Sequence, residues 1–154
     1  MRPRTAATVL LAVPALLAPV LLPGPAGAAA RPLDLGIGGR AEHRRAVPDE
    51  TQTVTWQVRN FGGLPVERVV LDARVPAGWS WYSGSCALIA AGRLRCPLGR
   101  LAPGAARTAR IVLTVPHRPS FGPARLSAVT RFAANGVDHR GPSAGMRFAV
   151  VRHR

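Results

Sequence analysis

From Arg31 onward, apolar and polar residues alternate with a period of two, and turn residues break the alternation roughly every 8 to 12 positions. Such alternation gives each strand one face to bury and one to leave in water. Thr51 to Arg59 is the clearest case, with Val54, Trp56 and Val58 facing one way and Thr53, Thr55, Gln57 and Arg59 the other. A short strand over 33–37 precedes it, aligning Leu33, Leu35 and Ile37, and the charged stretch from Arg40 to Pro48 reads as an exposed loop or weak strand. Asn60-Phe61-Gly62-Gly63 closes the strong strand with residues that tolerate positive φ. Val66 to Val75 follows, with Val69, Leu71, Ala73 and Val75 inward and Arg68, Asp72 and Arg74 outward.

After the turn at Pro76-Ala77-Gly78, Trp79 to Ser83 forms a short aromatic strand. Trp79 and Trp81 share its inward face and Tyr82 takes the other. Two turns, at Ala91-Gly92 and Ala102-Pro103-Gly104, lead to Thr108–Val115, where Ile111, Leu113 and Val115 point inward. Beyond the proline-punctuated stretch 116–123, Arg125 to Phe132 aligns Leu126, Ala128 and Phe132. An Asn135-Gly136 turn and a polar loop then precede a last strand carrying Met146, Phe148 and Val150. No segment shows a helical stripe. About seven to eight strands predict an all-β, two-sheet antiparallel β-sandwich spanning residues 31–152.

Residues 1–30 do not fit this pattern. Arg2 and Arg4, the apolar run from Ala6 to Leu22, the Pro23-Gly24-Pro25 break and the small residues of 26–30 read as a removable signal peptide. Pro14, Pro19 and Pro23 interrupt the run, which falls short of the ~20 residues that span a bilayer. No membrane span is expected after cleavage, and the chain reads as secreted, with retention at the cell wall as an option.

Export changes the reading of the two cysteines, Cys86 and Cys96. They flank Gly92 on the two arms of a predicted hairpin, ten positions apart and without clustered histidines. A disulfide across the hairpin suits this spacing and an oxidising compartment; zinc-site spacing is absent. For so short a loop the chain-entropy gain is roughly 3 kcal/mol.

The charge is one-sided. All 21 basic residues are arginine, against seven acids, for a formal net charge of +14. Without residues 1–30 the balance is 19 Arg to seven acids, or +12. A domain this cationic is drawn to polyanions. The candidate anion-binding residues are those at outward strand positions: Arg59, Arg68, Arg74, Arg107, Arg110, Arg125, Arg131 and Arg147. Arginine makes two-pronged contacts with phosphate. Few aromatic residues interleave with these cations, and export argues against nucleic acid as the natural partner. Clustering on one sheet, with acids scarce there, would mark a binding face; even dispersion would mark a passive surface.

No catalytic site is expected. His43, His117, His139 and His153 are scattered, His43 and Asp49 lack a serine in a nucleophile elbow, and the acids are too dispersed for a metal. No cofactor is implied.

The central blocks resemble the bacterial conserved repeat domain, known as domain of unknown function eleven. Val54 to Arg59, Asn60-Phe61-Gly62, Val69-Val70-Leu71 and Val75-Pro76-Ala77-Gly78 take the places of that family's strand–turn–strand motif. Cys96, Leu98, Gly99, Leu101 and Gly104 are similar to its Cys-x-Leu-Gly-x-Leu-x-x-Gly block. The resemblance covers about residues 33–151 and implies an immunoglobulin-like module of secreted or surface proteins, with paired cysteines at this hairpin and no catalytic residues. The sequence therefore reads as a non-enzymatic module with an adhesion, interaction or structural role at the bacterial surface, partnered by another surface protein or by anionic envelope polymers. The alternative is a small secreted cationic protein that binds polyanions through its arginines alone.

Overall fold

The computed structural model describes residues 33–152, so the signal-peptide reading of 1–30 lies outside the described residues. Ten strands form two packed sheets: β1 (Leu35–Ala41), β2 (Arg45–Ala46), β3 (Thr51–Asn60), β4 (Val66–Arg74), β5 (Ser80–Tyr82), β6 (Ala87–Ala90), β7 (Arg93–Leu101), β8 (Ala106–Thr114), β9 (Gly122–Ala134) and β10 (Val137–Val150). One sheet has the order β1-β3-β8-β5 and the other β2-β10-β9-β4-β7-β6. All neighbours run antiparallel except β2, which lies parallel to β10 at the sheet edge. Among the described residues there is no helix long and apolar enough to cross a membrane.

The core lies where the alternation placed it. Val54, Trp56 and Val58 of β3 and Ile111 and Leu113 of β8 are sealed against Leu71, Leu94, Leu126 and Phe148 from the other sheet. Trp79 is buried against Phe148, and Tyr82 stands 72% exposed.

Four sequence expectations are corrected. The polar loop expected before the last strand is itself strand. Asn135 and Gly136 both adopt positive φ, the geometry of a tight hairpin turn, and β10 pairs with β9 directly from Val137. The loop-like composition of 138–143 is absorbed by a bulge between Arg140 and Ser143, where Pro142 needs no ladder donor. Second, β4 is bulged around Arg68, which sits at φ 48°, so Val66 and Val69 are both buried although three positions apart. Third, none of residues 60–63 has positive φ. Asn60 works instead as a buried staple: its Nδ2 donates to the carbonyls of Leu64 and Leu101 at 2.8 and 3.1 Å, and its Oδ1 accepts from Gly62 N–H. Fourth, Asp72 occupies an outward strand position but is buried, for a reason that belongs to the site below.

Cys86 and Cys96 form the expected disulfide. Cys86 lies in the crossover from β5 to β6, and Cys96 is buried in β7. The bond therefore ties the crossover and the short edge strand β6 to the body of the sheet.

Candidate anion-binding face

Sheet pairing sorts the eight candidate arginines into two groups. Arg59 on β3 and Arg107 and Arg110 on β8 belong to the four-stranded sheet. Arg107, however, does not hold the outward position expected of it: it pairs with Val58 in the inward phase of Ala109 and Ile111. It is exposed only because it lies near the strand end, beyond the core. Arg68 and Arg74 on β4, Arg125 and Arg131 on β9 and Arg147 on β10 belong to the six-stranded sheet. All eight are exposed. On the four-stranded sheet Arg59 stacks over the Phe61 ring at 5.3 Å, and the neighbouring outward positions are mainly threonines.

The outer face of the six-stranded sheet carries more charge than the sequence revealed. Arg93 and Arg95 of β7 and Arg140 of β10 join Arg74, Arg125, Arg131 and Arg147 there. The first two were legible in the alternation Arg93-Leu94-Arg95-Cys96, whose Leu94 and Cys96 are buried. Arg140 was hidden in the stretch that read as a loop. Arg68 takes no part, because its guanidinium is paired with Asp138 at the far end of the sheet, where Arg100 is likewise paired with Glu67.

Among these seven arginines stands a single acid, Asp72. Arg95 grips both of its oxygens, at 2.8 and 3.0 Å, and Arg131 Nε reaches Oδ2 at 3.1 Å. The side chain is only 5% exposed because these guanidiniums lie over it. The Arg95 hydrogen bonds hold the carboxyl below its ordinary range; burial opposes this, and the charges of Arg95 and Arg131 and the Arg131 hydrogen bond add to the lowering. Among the described residues, Arg74, Arg93, Arg125, Arg140 and Arg147 have no acidic partner.

The register adds a further point. Arg74 lies directly opposite Arg93, Arg125 opposite Arg147, and Arg131 opposite Arg140. Like charges directly across a ladder are destabilising, and this face repeats the arrangement three times. Between the strands runs an open groove of about 430 Å³, lined by Arg74, Arg93 and Arg140 with Ser127, Ser143 and Asp72. Such a surface can take up oxyanions through paired guanidinium forks and hydroxyl donors.

Among the described residues, which leave out His153, the histidines make no hydrogen bond to a serine. Asp49 pairs with His117 at 2.8 Å rather than with His43, and its hydrogen bond raises the His117 pKa. Both side chains are exposed. Among the described residues no cluster of three or more His, Cys, Asp or Glu side chains suits a metal ion.

Comparison with known proteins places this face on a familiar scaffold. A structure of AvmM, described as catalysing macrocyclization in alchivemycin A biosynthesis, has a TM-score of 0.58 at 12% identity, covering 76% of this chain and 88% of that one. The CARDB domain of the PF1109 protein from Pyrococcus furiosus, crystallised with di-metal ions, has a TM-score of 0.54 at 14% identity, covering 77% and 89%. A cohesin module from a Clostridium perfringens family 33 glycoside hydrolase has a TM-score of 0.54 at 9% identity, covering 80% and 100%. At these identities the likeness is one of fold. No curated protein sequence matches the chain.

The family model that matches is the NPCBM-associated, NEW3 domain of alpha-galactosidase, from Ala46 in β2 to Ala133 near the end of β9. It is not the conserved repeat domain suggested by the motifs between Val54 and Gly104. Those motifs record strand alternation and turn residues, which immunoglobulin-like modules of different families share. With more than half of its length matched, the chain belongs to the NPCBM-associated NEW3 domain family and is an immunoglobulin-like β-sandwich module.

Proposed function

We propose that this chain is an exported, non-catalytic interaction module that adheres to anionic polymers of the bacterial cell surface through the outer face of its six-stranded sheet. The observation that carries the reading is the charge distribution on that face: away from the end where Glu67 and Asp138 are paired with Arg100 and Arg68, seven arginines surround one acid, and five of the seven have no acidic partner among the described residues. The contrast with the threonine-rich outer face of the other sheet favours a built surface over a uniformly cationic one. The signal-like residues 1–30 supply the route out of the cell. A family described with alpha-galactosidase suits glycan-bearing surroundings.

The test is retention on isolated cell walls as salt is raised, which should fall steeply because attraction to a polyanion is screened. Changing Arg74, Arg93, Arg125 and Arg147 to Gln should abolish retention at moderate salt. Changing Arg40, Arg59, Arg107 and Arg110 on the other sheet removes the same charge and should leave most of it. Equal losses from the two sets, or retention indifferent to salt, would overturn the reading.

A further inference from the structure

We infer that the outer face of the four-stranded sheet is a second binding site, a platform for a glycan chain: one sugar ring stacks on Tyr82, and the hydroxyls of the next rings bond to Arg110, Arg40 and Glu42. This does not depend on the arginine face, which belongs to the other sheet of the sandwich.

Register gathers the site. Tyr82 on β5 stands opposite Val112 on β8, and Val112 opposite Thr53 on β3. Glu42 closes this row: it continues β1 by donating its N–H to the Thr53 carbonyl at 2.9 Å. The neighbouring row on the same face runs Arg40, Thr55, Arg110. Directly paired residues share a face, and the alternate positions Val54, Ile111 and Leu113 are buried, so both rows point outward. At ordinary strand spacing the row from Tyr82 to Glu42 is about 14 Å long, the span of a short oligosaccharide.

Two grooves with Arg110 as their common wall divide the platform. One, of about 430 Å³, lies beside Tyr82 and Val112; the other, of about 360 Å³, is lined by Arg40, Glu42, Thr53, Thr55 and Arg110. Tyr82 presents a flat apolar ring with a polar tip, against which the C–H face of a pyranose can pack. The second groove carries unengaged donors and an unengaged acceptor together. Glu42 has no ion pair among the described residues although two arginines line the same groove, and neither arginine has an acidic partner there. A guanidinium only donates, a carboxylate only accepts, and a threonine hydroxyl does both. Sugar hydroxyls also do both, so a polyhydroxyl ligand has a use for every one of these groups. Glu42 works against a polyanion at this point of the face. A protein partner would want an apolar centre to its interface, and in these two rows only Tyr82 and Val112 are apolar.

The wall beside Tyr82 is fixed in advance. Ser83 Oγ donates to the Arg110 carbonyl at 2.8 Å, and the Cys86–Cys96 disulfide secures the other end of the crossover that contains Ser83 and Ser85. A ligand therefore has little backbone to order when it binds. One stacked ring and a few hydrogen bonds to exposed groups give a Kd of about 0.1–1 mM. Such a site adds little to retention on cell walls and is read with soluble sugars.

The experiment is a titration of the isotope-labelled mature chain, followed by NMR amide shifts, with cellohexaose, mannohexaose, chitohexaose and verbascose, and with dextran sulfate as the anionic comparison. At least one of the neutral sugars should bind, with shifts centred on Tyr82, Ser83, Thr53, Thr55 and Arg110 while β9 and β10 stay unmoved. Tyr82→Ala should weaken that sugar about tenfold and Tyr82→Phe by no more than about twofold, because the ring carries the stack. Tyr82 is mostly exposed, so the melting curve of Tyr82→Ala should match the parent's. Glu42→Gln should weaken the sugar about threefold, since a charged acceptor is lost. The same change should tighten dextran sulfate, since a repelling charge is removed, so its sign separates the two ligand classes. No shift with any of the neutral sugars, or an affinity indifferent to Tyr82→Ala, would overturn the platform. Tighter sugar binding by Glu42→Gln would overturn it as well. Shifts at Tyr82 that grow with protein concentration alone would assign the face to a second copy of the chain instead. None of these outcomes bears on the salt-dependent wall retention that tests the arginine face.

Discussion

Asp72 provides the most direct physical test of the arginine face. Replacing it with Asn keeps the shape but removes the charge that draws Arg95 and Arg131 together. The amide offers one acceptor oxygen, and its NH2 group faces guanidinium donors. Hydrogen bonds to charged groups contribute about 1.5–3 kcal/mol each when well formed. Here both guanidiniums are about half exposed, at 45% and 53%, and water takes over part of what the carboxylate supplied. A net loss of about 2 kcal/mol at neutral pH follows, which lowers Tm by roughly 6–10 °C for a domain of this size. The pH dependence has a definite sign. The folded carboxyl titrates below the ordinary aspartate value of 3.8, so its stabilisation is complete above that pH and is lost as pH falls through the folded value. Parent and Asp72→Asn unfolding curves should therefore be separated at neutral pH and converge in acid. Polyanion affinity should move the other way, rising severalfold as Arg95 and Arg131 are released. Circular dichroism melts from neutral pH to about pH 2, with polymer titrations at pH 7, test both halves. A variant as stable as the parent at neutral pH, or a gap that persists unchanged in acid, would refute the account of Asp72 as the internal counter-ion of this face.

Reducing the Cys86–Cys96 bond, or replacing both cysteines with Ser, should cost about 3 kcal/mol from chain entropy over a separation of 10, read by denaturant unfolding. Hydrogen exchange should rise first in β6, the edge strand that the bond secures. Asn60→Ala should cost about 2–3 kcal/mol, because it strips partners from the Leu64 and Leu101 carbonyls and Gly62 N–H; Asn60→Asp should not restore stability, since it lacks the Nδ2 donor. Gly39→Ala should destabilise by about 1–3 kcal/mol, because an added Cβ would come within 2.5 Å of both Trp56 and Met146, whereas Gly38→Ala meets open space and serves as the control.

The individual strands were legible because alternation is a local property. Val54, Trp56 and Val58, or Ile111 and Leu113, must share a face whatever surrounds them. The disulfide was legible for the same reason, since a short hairpin brings Cys86 and Cys96 together without help from the rest of the chain. Bulges were less readable. Arg68 and Gly141-Pro142 shift the phase of β4 and β10 in ways that only their neighbours reveal. That is why a loop was expected where β10 begins, and why Val66 escaped the inward set.

Alternation along the chain determined that this protein buries its β-branched, leucine and tryptophan positions in a two-layer sandwich and turns its arginines outward. Only the tertiary structure decided which arginines share a sheet and which stand opposite one another. Arg74 meets Arg93, and Arg125 meets Arg147, through pairings between strands that a local pattern does not specify. The physical reason is that burial selects a face for each residue one strand at a time, whereas charge proximity depends on which strands the packed core allows to become neighbours, and in what register.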